Sequence, residues 1–379
     1  MKLYKTWAEI SLPSLCHNWH AITSRIADPA CTPIAVVKAN AYGHGAATVA
    51  RTLYAEGCRF FAVSCVSEAE EIRALLPDAE ILILGYSMPQ DAPELCRMNI
   101  IQTVFDSDFA AACESAMADA VCRGILPYGA RLRVHIKLDT GMNRIGFDAG
   151  APPIAAAEIA EIARMPHLQT EGMFTHFACA DGDHGTGMSA DQLARYIAVR
   201  DSLREMDACP AMLHCCNSAG ILHMPHAYMN GVRAGIILYG MSPDGSILPE
   251  FQPVMRLKTR IAHIHTLRAG ESVSYGATFT AERDMRIATL PIGYADGWTR
   301  RFSGAEVRLP DGSEAPIVGR ICMDQCMISI GDADVRPGDP VTLFGDDDGT
   351  MIEVLARRAQ TINYEITSLI TARVPRVEV

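Results

Sequence analysis

The sequence AVVKANAYGHG, residues 35–45, runs an apolar segment directly into Lys38, then into a tyrosine among small residues and a Gly-His-Gly. The apolar segment is typical of a strand that is covered on both faces. A lysine at the end of such a strand loses hydration, which lowers the pKa of its amine and makes it available as a nucleophile or base. On its own, the pattern also fits a solvated surface lysine, so the interpretation depends on what else the chain brings to Lys38.

Further apolar runs alternate with helical patterns up to about residue 240. The predicted strands are 33–38, 60–65, 80–85, 101–105, 132–139, 170–177, 212–217 and 228–233. Between them lie helical patterns, one with a capping box predicted at Ser67 and Glu70 and another with a C-cap predicted at Gly57. Eight strands alternating with helices over residues 11–240 predict a (β/α)8 barrel of the TIM type rather than a doubly wound sheet.

The pattern changes beyond residue 240 to β-rich segments separated by turn dipeptides, among them Asp311-Gly312 and Asp348-Gly349. This pattern predicts a second, all-β domain over residues 241–379, with which a strand from residues 1–10 is expected to pair. The acidic run GDDDG at 345–349 is expected to be a solvated hairpin, because three adjacent carboxylates cannot all face one calcium ion.

Composition excludes several classes of function. The 379 residues carry a net charge of −11 and no cluster of five lysines or arginines, which disfavours nucleic acid and anionic membranes as partners. The chain shows no signal-peptide pattern and no apolar run of about 20 residues, so a cytoplasmic protein is expected. The thirteen cysteines include no Cys-x-x-Cys pair and are expected to be reduced core residues, so no metal site is expected.

Polar residues gather at the carboxyl ends of the predicted strands, which in a barrel all open on one catalytic mouth. These residues are Lys38, Lys137, Asp139, Arg144, His176, Asn217, Ser218, Arg233 and Gly235. The loops NSAG and RAGI follow strands seven and eight, where barrels bind phosphate, and their small residues let backbone N–H groups approach an anion. A lysine opposite a phosphate site fits pyridoxal 5′-phosphate. Each residue alone also has an ordinary structural explanation, such as a core histidine at 176.

Nine motifs give the chain a resemblance to bacterial alanine racemases, which are fold-type III pyridoxal-phosphate enzymes. The motifs occur in the family's order and are AVVKANAYGHG, KLDTGMNRIG, THFACAD, CNSAG, VRAGIILYG, SVSYGATF, PIGYADGW, GRICMDQCM and INYE. The resemblance covers nearly the whole chain and implies a barrel followed by a C-terminal β domain. It also implies a head-to-tail homodimer in which Lys38 of one chain and Tyr275 of the other are the two bases of racemisation.

The resemblance assigns the remaining site residues position by position. Those expected at the cofactor are Lys38, Tyr42, His176, Asn217, Ser218, Arg233, Gly235, Ile236 and Tyr364. Arg233 is expected to face the pyridine nitrogen, which a permanently protonated arginine leaves unprotonated. Those expected at the substrate are Arg144, Met323 and Tyr294, and Tyr294 is expected to narrow the entrance together with Tyr364. Lys137 matches a lysine that is carbamylated in many members of the family.

The implied activity is interconversion of L-alanine and D-alanine, which supplies D-alanine for peptidoglycan. A serine-preferring or broad-specificity racemase is an alternative, because one extra hydroxyl is hard to reject by packing alone. A fold-type III amino-acid decarboxylase is another, although such enzymes lack SVSYGAT. A non-catalytic pyridoxal-phosphate carrier would resemble only the barrel. Membrane-bound serine racemases typically have asparagine where Tyr364 stands, which favours alanine here.

Overall fold

The fold is seen in a computed structural model that describes residues 3–183, 185–345 and 351–379. The strands of the first part of the chain are β1 (Thr6–Ile10), β2 (Thr32–Val36), β3 (Phe60–Val63), β4 (Glu80–Ile83), β5 (Ile101–Val104), β6 (Leu132–Asp139), β7 (Phe147–Asp148), β8 (Leu168–Phe174), β9 (Met212–His214) and β10 (Gly231–Ala234). The helices there are α1 (Leu12–Arg25), α2 (Lys38–Tyr42), α3 (Ala46–Ala55), α4 (Val66–Leu75), α5 (Ala92–Arg97), α6 (Ser107–Cys122), α7 (Pro152–Ala163), α8 (Gly187–Glu205) and α9 (Ser218–His223).

Eight parallel strands close into a barrel in the order β2, β3, β4, β5, β6, β8, β9 and β10. The β10–β2 and β5–β6 pairings complete the circle, and β7 adds to the edge of β6. The predicted (β/α)8 fold is therefore confirmed, with one barrel strand in each predicted segment. Several strands end earlier than expected, because β2 stops at Val36 before Lys38, and β9 stops at His214 before Asn217 and Ser218.

A second sheet forms from the later part of the chain. Its strands and the adjoining hairpin are β11 (Met255–Arg260), β12 (His263–Leu267), β13 (Ser272–Val273), β14 (Phe279–Thr280), β15 (Met285–Leu290), β16 (Glu306–Arg308), β17 (Glu314–Val318), β18 (Cys326–Ser329), β19 (Pro340–Phe344) and β20 (Arg376–Glu378). β1 joins this sheet, antiparallel to β11 and parallel to β20. We propose the domain division 11–240 and 241–379, with residues 1–10 belonging to the second domain.

The second domain is mostly strand, as predicted, but it also contains two short helices that the sequence pattern did not indicate, α10 (Ile352–Ala359) and α11 (Asn363–Ser368). α11 carries Tyr364 and packs against α2 of the barrel. The Asp348-Gly349 turn and most of the expected acidic hairpin, residues 346–349, lie outside the described residues.

Two helix ends test the predicted caps. Gly57 follows α3 with a φ of +92°, as expected of a residue that ends a helix. The capping box predicted at Ser67 and Glu70 is wrong, because α4 begins at Val66 with Cys65 at the N-cap and no side-chain cap bond. Ser67 is therefore inside the first turn and cannot cap it.

Neither a membrane span nor a disulfide is found where the structure describes the chain. No helix among the described residues is long and apolar enough to cross a bilayer. All thirteen cysteines are free thiols, and six of them are buried.

Candidate active site

A cavity of about 170 Å³ lies at the carboxyl ends of the barrel strands. Nine of the eleven residues that line it were singled out from the sequence, namely Lys38, Tyr42, His176, Asn217, Ser218, Arg233, Gly235, Ile236 and Tyr364. The other two are Val36 and Leu84, which end or follow barrel strands and add apolar surface. The barrel and helix α11 of the second domain, which carries Tyr364, thus bring together residues that are separated by more than 300 positions in the sequence.

The backbone after Lys38 has an unusual conformation. Four successive residues that are not glycine, Ala39, Asn40, Ala41 and Tyr42, have φ values of 52° to 54°. Each left-handed residue of this kind costs about 1–2 kcal/mol. The helical turn α2 is therefore left-handed, and its conformation has to be held by groups outside it.

Hydrogen bonds from three directions hold this turn. Glu68 of α4 accepts from the backbone N–H of Ala39 at 2.7 Å. His44 Nδ1 lies 2.9 Å from the carbonyl of Ala41 and 3.1 Å from that of Tyr42, so it carries the proton and donates. Arg376, from the last strand of the second domain, donates to the carbonyl of Gly43 at 2.8 Å. Both domains therefore fix the turn that positions Lys38.

The surroundings of Lys38 lower the pKa of its amine. Burial lowers its pKa, and the positive charge of Arg144 lowers it further, whereas Glu68 opposes the shift. Arg144 is itself exposed, on a loop held by Asp139. The Asp139 carboxylate accepts from the N–H groups of Gly141, Asn143 and Arg144 at 2.9–3.0 Å. Arg144 is thereby held on the Lys38 side of the barrel mouth.

One end of the cavity is shaped to hold an anion. Ser218 Oγ accepts from the backbone N–H of Gly235 at 3.0 Å. A Cβ atom on Gly235 would stand 2.9 Å from Tyr42 Oη and 3.5 Å from Ser218 Oγ, so the absence of a side chain keeps this space open. Burial raises the pKa of Tyr42 and of Tyr364, which keeps both hydroxyls protonated and able to donate.

The lining of the cavity also includes a buried arginine. Arg233 is 2% exposed and donates to the carbonyls of Thr175, His214 and Cys215 at 2.6–3.0 Å. Burial lowers its pKa to about 10, so it remains a cation at neutral pH. No ion pair to a carboxylate is found for Arg233 within the described part of the chain. Burial, and then the charge of Arg233, lowers the pKa of His176 well below its usual range, so His176 is neutral.

Lys137 lies beside the cavity without lining it. Its Nζ donates to the carbonyl of Leu138 and sits 5.7 Å from the centre of the Phe174 ring. Burial, and then the charge of Arg233, lowers the pKa of Lys137 to about 7. A substantial fraction of this amine is therefore neutral near pH 7.

Of the four site residues expected from the second domain, Tyr364 lines the cavity and the other three do not. Tyr275, Tyr294 and Met323 are 72%, 44% and 53% exposed. They lie on one surface, because the turn at Tyr294 hydrogen-bonds to the carbonyl of Cys322, and the Cys322 thiol contacts Ser274 at 3.5 Å. We name the surface formed by Tyr275, Tyr294 and Met323 the β-domain patch.

Sequence reasoning missed the residues that support the lining. Glu68, His44 and Arg376 hold the Lys38 turn. The signal of Glu68 and Arg376 is weak because both are remote from Lys38 in the sequence, and His44 lies in the AYGHG stretch but was given no role. His135 and His214 were also missed, although a histidine at an inward position of a barrel strand is a usable signal. His135 alternates with Lys137 along β6 and therefore points to the same side of the strand.

Comparison with known proteins covers the whole chain. The family model for the alanine racemase N-terminal domain matches residues 10–243, and that for the alanine racemase C-terminal domain matches residues 254–378. Alanine racemase of Desulforamulus reducens is 40% identical over 377 residues, which is 98% of each chain. Alanine racemase of Geobacillus stearothermophilus is 40% identical over 378 residues, covering 98% of this chain and 93% of the relative.

Solved structures agree with these matches. Alanine racemase from Clostridium difficile 630 superposes with a TM-score of 0.92 at 36% identity, over 100% of this chain and 97% of that chain. Alanine racemase from Bacillus anthracis with bound L-Ala-P superposes with a TM-score of 0.90 at 33% identity, over 100% of this chain and 96% of that chain.

Proposed function

The chain belongs to the alanine racemase family and is an isomerase, and on that premise we propose that it interconverts L-alanine and D-alanine with pyridoxal 5′-phosphate as cofactor. The observation that carries the proposal is the single cavity in which an amine, an anion cradle and a buried arginine meet. From the family alone we also propose that the enzyme acts in the cytoplasm and supplies D-alanine for peptidoglycan.

The residues of the cavity fit the cofactor at both ends. Tyr42, Ser218 and the backbone of Gly235 and Ile236 would hold the phosphate, because donors converge there on a space that a Cβ would fill. Tyr364 and Asn217 line the same cavity. The cofactor, when bound, supplies an aldehyde carbon for the amino group and a ring that withdraws electrons from the α carbon. Lys38 would provide the amine that holds the aldehyde between turnovers.

Arg233 and His176 would set the electronic character of the ring. Arg233 donates hydrogen bonds but does not readily give up a proton, so a pyridine nitrogen facing it stays unprotonated. Neutral His176 would lie against the ring without adding charge. An unprotonated ring is a weaker electron sink, which favours prompt return of the proton to the α carbon over transamination.

This cavity gives the substrate carbon one base, whereas racemisation needs a base on each face. Lys38 would exchange the proton on one face. We propose that Tyr275 of the partner subunit acts on the other face, in a head-to-tail homodimer. The exposure of the β-domain patch supports this arrangement, because Tyr275, Tyr294 and Met323 are far more exposed than core residues and share one surface. Met323 would contact the substrate carboxylate, and Tyr294 would narrow the entrance with Tyr364.

In addition to burial, Arg144 and Arg233 lower the pKa of both Lys38 and Lys137, whereas Glu68 opposes the shift at Lys38 and Asp139 opposes it at Lys137. Arg144 would stabilise the phenolate of the arriving tyrosine and contact the substrate. We propose that Lys137 is carbamylated. Its neutral amine can take up carbon dioxide with release of a proton, and the carbamate formed would offset part of the buried positive charge.

Substituting Gly235 with alanine is expected to weaken cofactor binding about tenfold or more, since the added carbon would occupy the anion cradle. The dissociation constant of pyridoxal phosphate, measured by titrating the apoprotein and following its absorbance, checks this. Gly182→Ala is the matched control, because among the residues that the structure describes its Cβ would meet the Cys179 carbonyl alone, at 3.7 Å. Equal affinity of the Gly235→Ala and Gly182→Ala proteins would contradict the placement of the phosphate.

The activity itself is tested with L-alanine and the purified protein in D2O containing pyridoxal phosphate. We expect D-alanine with deuterium at the α carbon, formed faster than D-serine is formed from L-serine in parallel. Chiral chromatography with mass spectrometry measures both products, and an incubation with D-alanine tests the reverse direction. If the cofactor binds and neither amino acid is racemised, the racemase is rejected, and release of carbon dioxide would instead identify a decarboxylase.

A further inference from the structure

Three buried side chains form a continuous row inside the barrel, which we call the Arg233–His214–His135 row. Arg233 Nη1 lies 2.7 Å from His214 Nδ1, and His214 Nε2 lies 3.0 Å from His135 Nδ1. The three residues are 2%, 0% and 1% exposed, so water does not compete for these contacts. The row begins at the cofactor cavity and ends on β6.

The row has only one consistent arrangement of protons when both histidines are neutral. Arg233 can only donate, so His214 Nδ1 must accept. A neutral His214 then carries its proton on Nε2 and donates it to His135 Nδ1. His135 in turn carries its own proton on Nε2. The donor Arg233 on one side of His214 and the acceptor His135 on the other thus together set the direction of every hydrogen bond, and His135 is the last acceptor.

Charge and packing keep both histidines in this state. Burial lowers the pKa of His135 to about 3 and that of His214 well below its usual range, and the positive charge of Arg233 acts in the same direction on both. Phe174 stacks on His214 with ring centres 4.8 Å apart and planes 5° apart. A Cβ on Gly172 would stand 2.5 Å from the His135 ring, so only glycine leaves room for that ring.

We propose that His135 is a positioning residue of the racemase, which fixes the tautomer of His214 and thereby the orientation of the Arg233 guanidinium toward the cofactor ring. The assignment rests on the proposed function, in which Arg233 faces the pyridine nitrogen. Without an acceptor at position 135, the Nε2–H of His214 has no partner among the described residues of the barrel interior. His214 is then driven to the other tautomer or to another ring orientation, and Arg233 loses the acceptor at Nδ1.

Two substitutions of similar size separate the hydrogen bond from the packing. His135→Asn places an amide oxygen where Nδ1 accepts, whereas His135→Leu has no acceptor. We expect His135→Leu to lower kcat about tenfold or more with KM changed less than about twofold, because Arg233 is displaced without loss of substrate contacts. In the same His135→Leu variant, the amount of pyruvate released per alanine racemised is expected to rise. His135→Asn should restore both quantities toward those of the unsubstituted protein.

The tautomer is measured without the cofactor, from the ring ¹⁵N chemical shifts of histidine-labelled apoprotein, with a His214→Asn protein to identify the His214 signals. We expect a protonated Nε2 and an unprotonated Nδ1 on His214 in the unsubstituted chain and in His135→Asn, and loss of that pattern in His135→Leu. A protonated Nδ1 on His214 in the unsubstituted apoprotein overturns the proposal, even if no variant folds. Equal kinetic losses in the two variants, or none in His135→Leu, also overturn it.

The two proposals fail in different ways. An unsubstituted protein that binds no pyridoxal phosphate and racemises no alanine contradicts the proposed function, whatever the histidine signals show. A protein that racemises alanine normally with His214 in the wrong tautomer contradicts only the role of His135. Thermal unfolding of each variant, followed by circular dichroism, confirms that the activities compared come from folded protein.

Discussion

Lys38→Ala is expected to abolish racemisation, lowering kcat by roughly 10⁴-fold or more, the scale on which enzymes lose activity when a covalently acting group is removed. The structure gives the reason, because Lys38 supplies the amine of the cavity and its pKa is lowered by burial and by Arg144. Lys137 cannot replace it, since that amine is turned to the carbonyl of Leu138 and does not line the cavity. The visible absorption band of the bound cofactor should disappear together with the activity.

The measurement pairs a racemisation assay with an absorption spectrum of the protein after removal of free pyridoxal phosphate. Lys258→Ala is the matched control, because Lys258 is a partly buried lysine paired with Glu9 on the second sheet, at 2.9 Å. That variant should keep both the band and the activity. A Lys38→Ala protein that keeps both the absorption band and the activity would contradict the assignment of Lys38 as the cofactor lysine. Loss of the band and the activity in Lys258→Ala would show that the effect comes from misfolding.

The barrel was predictable because its determinants are local. Each strand is a short apolar run between turn residues, and the polar residue at its end, such as Arg233, can be recognised in the sequence. The barrel then places these strand-end residues close together at its mouth. Six of the lining residues could therefore be assembled from strand ends, whereas Tyr42, Ile236 and Tyr364 were assigned only through the family resemblance. The inward position of His135 could have been predicted in the same way, because His135 lies two residues from Lys137 in β6 and therefore points to the same side of the strand.

The conformation of the Lys38 turn could not be predicted, because it runs against local preference. Of Ala39 to Tyr42 only Asn40 is of a type that tolerates φ values near +53°, and groups that enforce them come from elsewhere, Glu68 from α4 and Arg376 from the last strand. The helix α11 was missed for a related reason. Its six residues are too few to show helical periodicity, and its place is fixed by packing on the turn, where a Cβ on Gly43 would stand 2.0 Å from the Thr367 carbonyl oxygen.

The position of Tyr275 depends on an interface that a single chain does not contain. Sequence reasoning placed this residue at the site only through the family resemblance, and in the structure its side chain is 72% exposed. The turn that carries Tyr275 nevertheless has defined contacts with Arg320. Ser274 Oγ donates to the carbonyl of Arg320, and Gly276 leaves room for the Arg320 guanidinium. A hydrogen-bonded turn that presents an exposed tyrosine fits the proposal that this residue acts on another chain.

Combining two inactive chains in one dimer is expected to restore activity, if Lys38 and Tyr275 act in the same site from different subunits. A dimer of Lys38→Ala with Tyr275→Phe has one site with both bases and one site with neither. Chains that carry different affinity tags can be coexpressed and the heterodimer purified, so subunit exchange is not required. The purified heterodimer should show about half of the unsubstituted activity per dimer, because one of its two equivalent sites is intact.

The control for this experiment pairs Lys38→Ala with a chain carrying both Lys38→Ala and Tyr275→Phe, which leaves no site with both bases and should remain inactive. Tyr275→Phe homodimers add a second distinction, because removing one base should slow loss of the α proton from one enantiomer much more than from the other. A heterodimer as inactive as its parents would reject the shared site. Equal slowing of both enantiomers by Tyr275→Phe would reject Tyr275 as a base and would leave the exposed β-domain patch as a surface for contact rather than for chemistry.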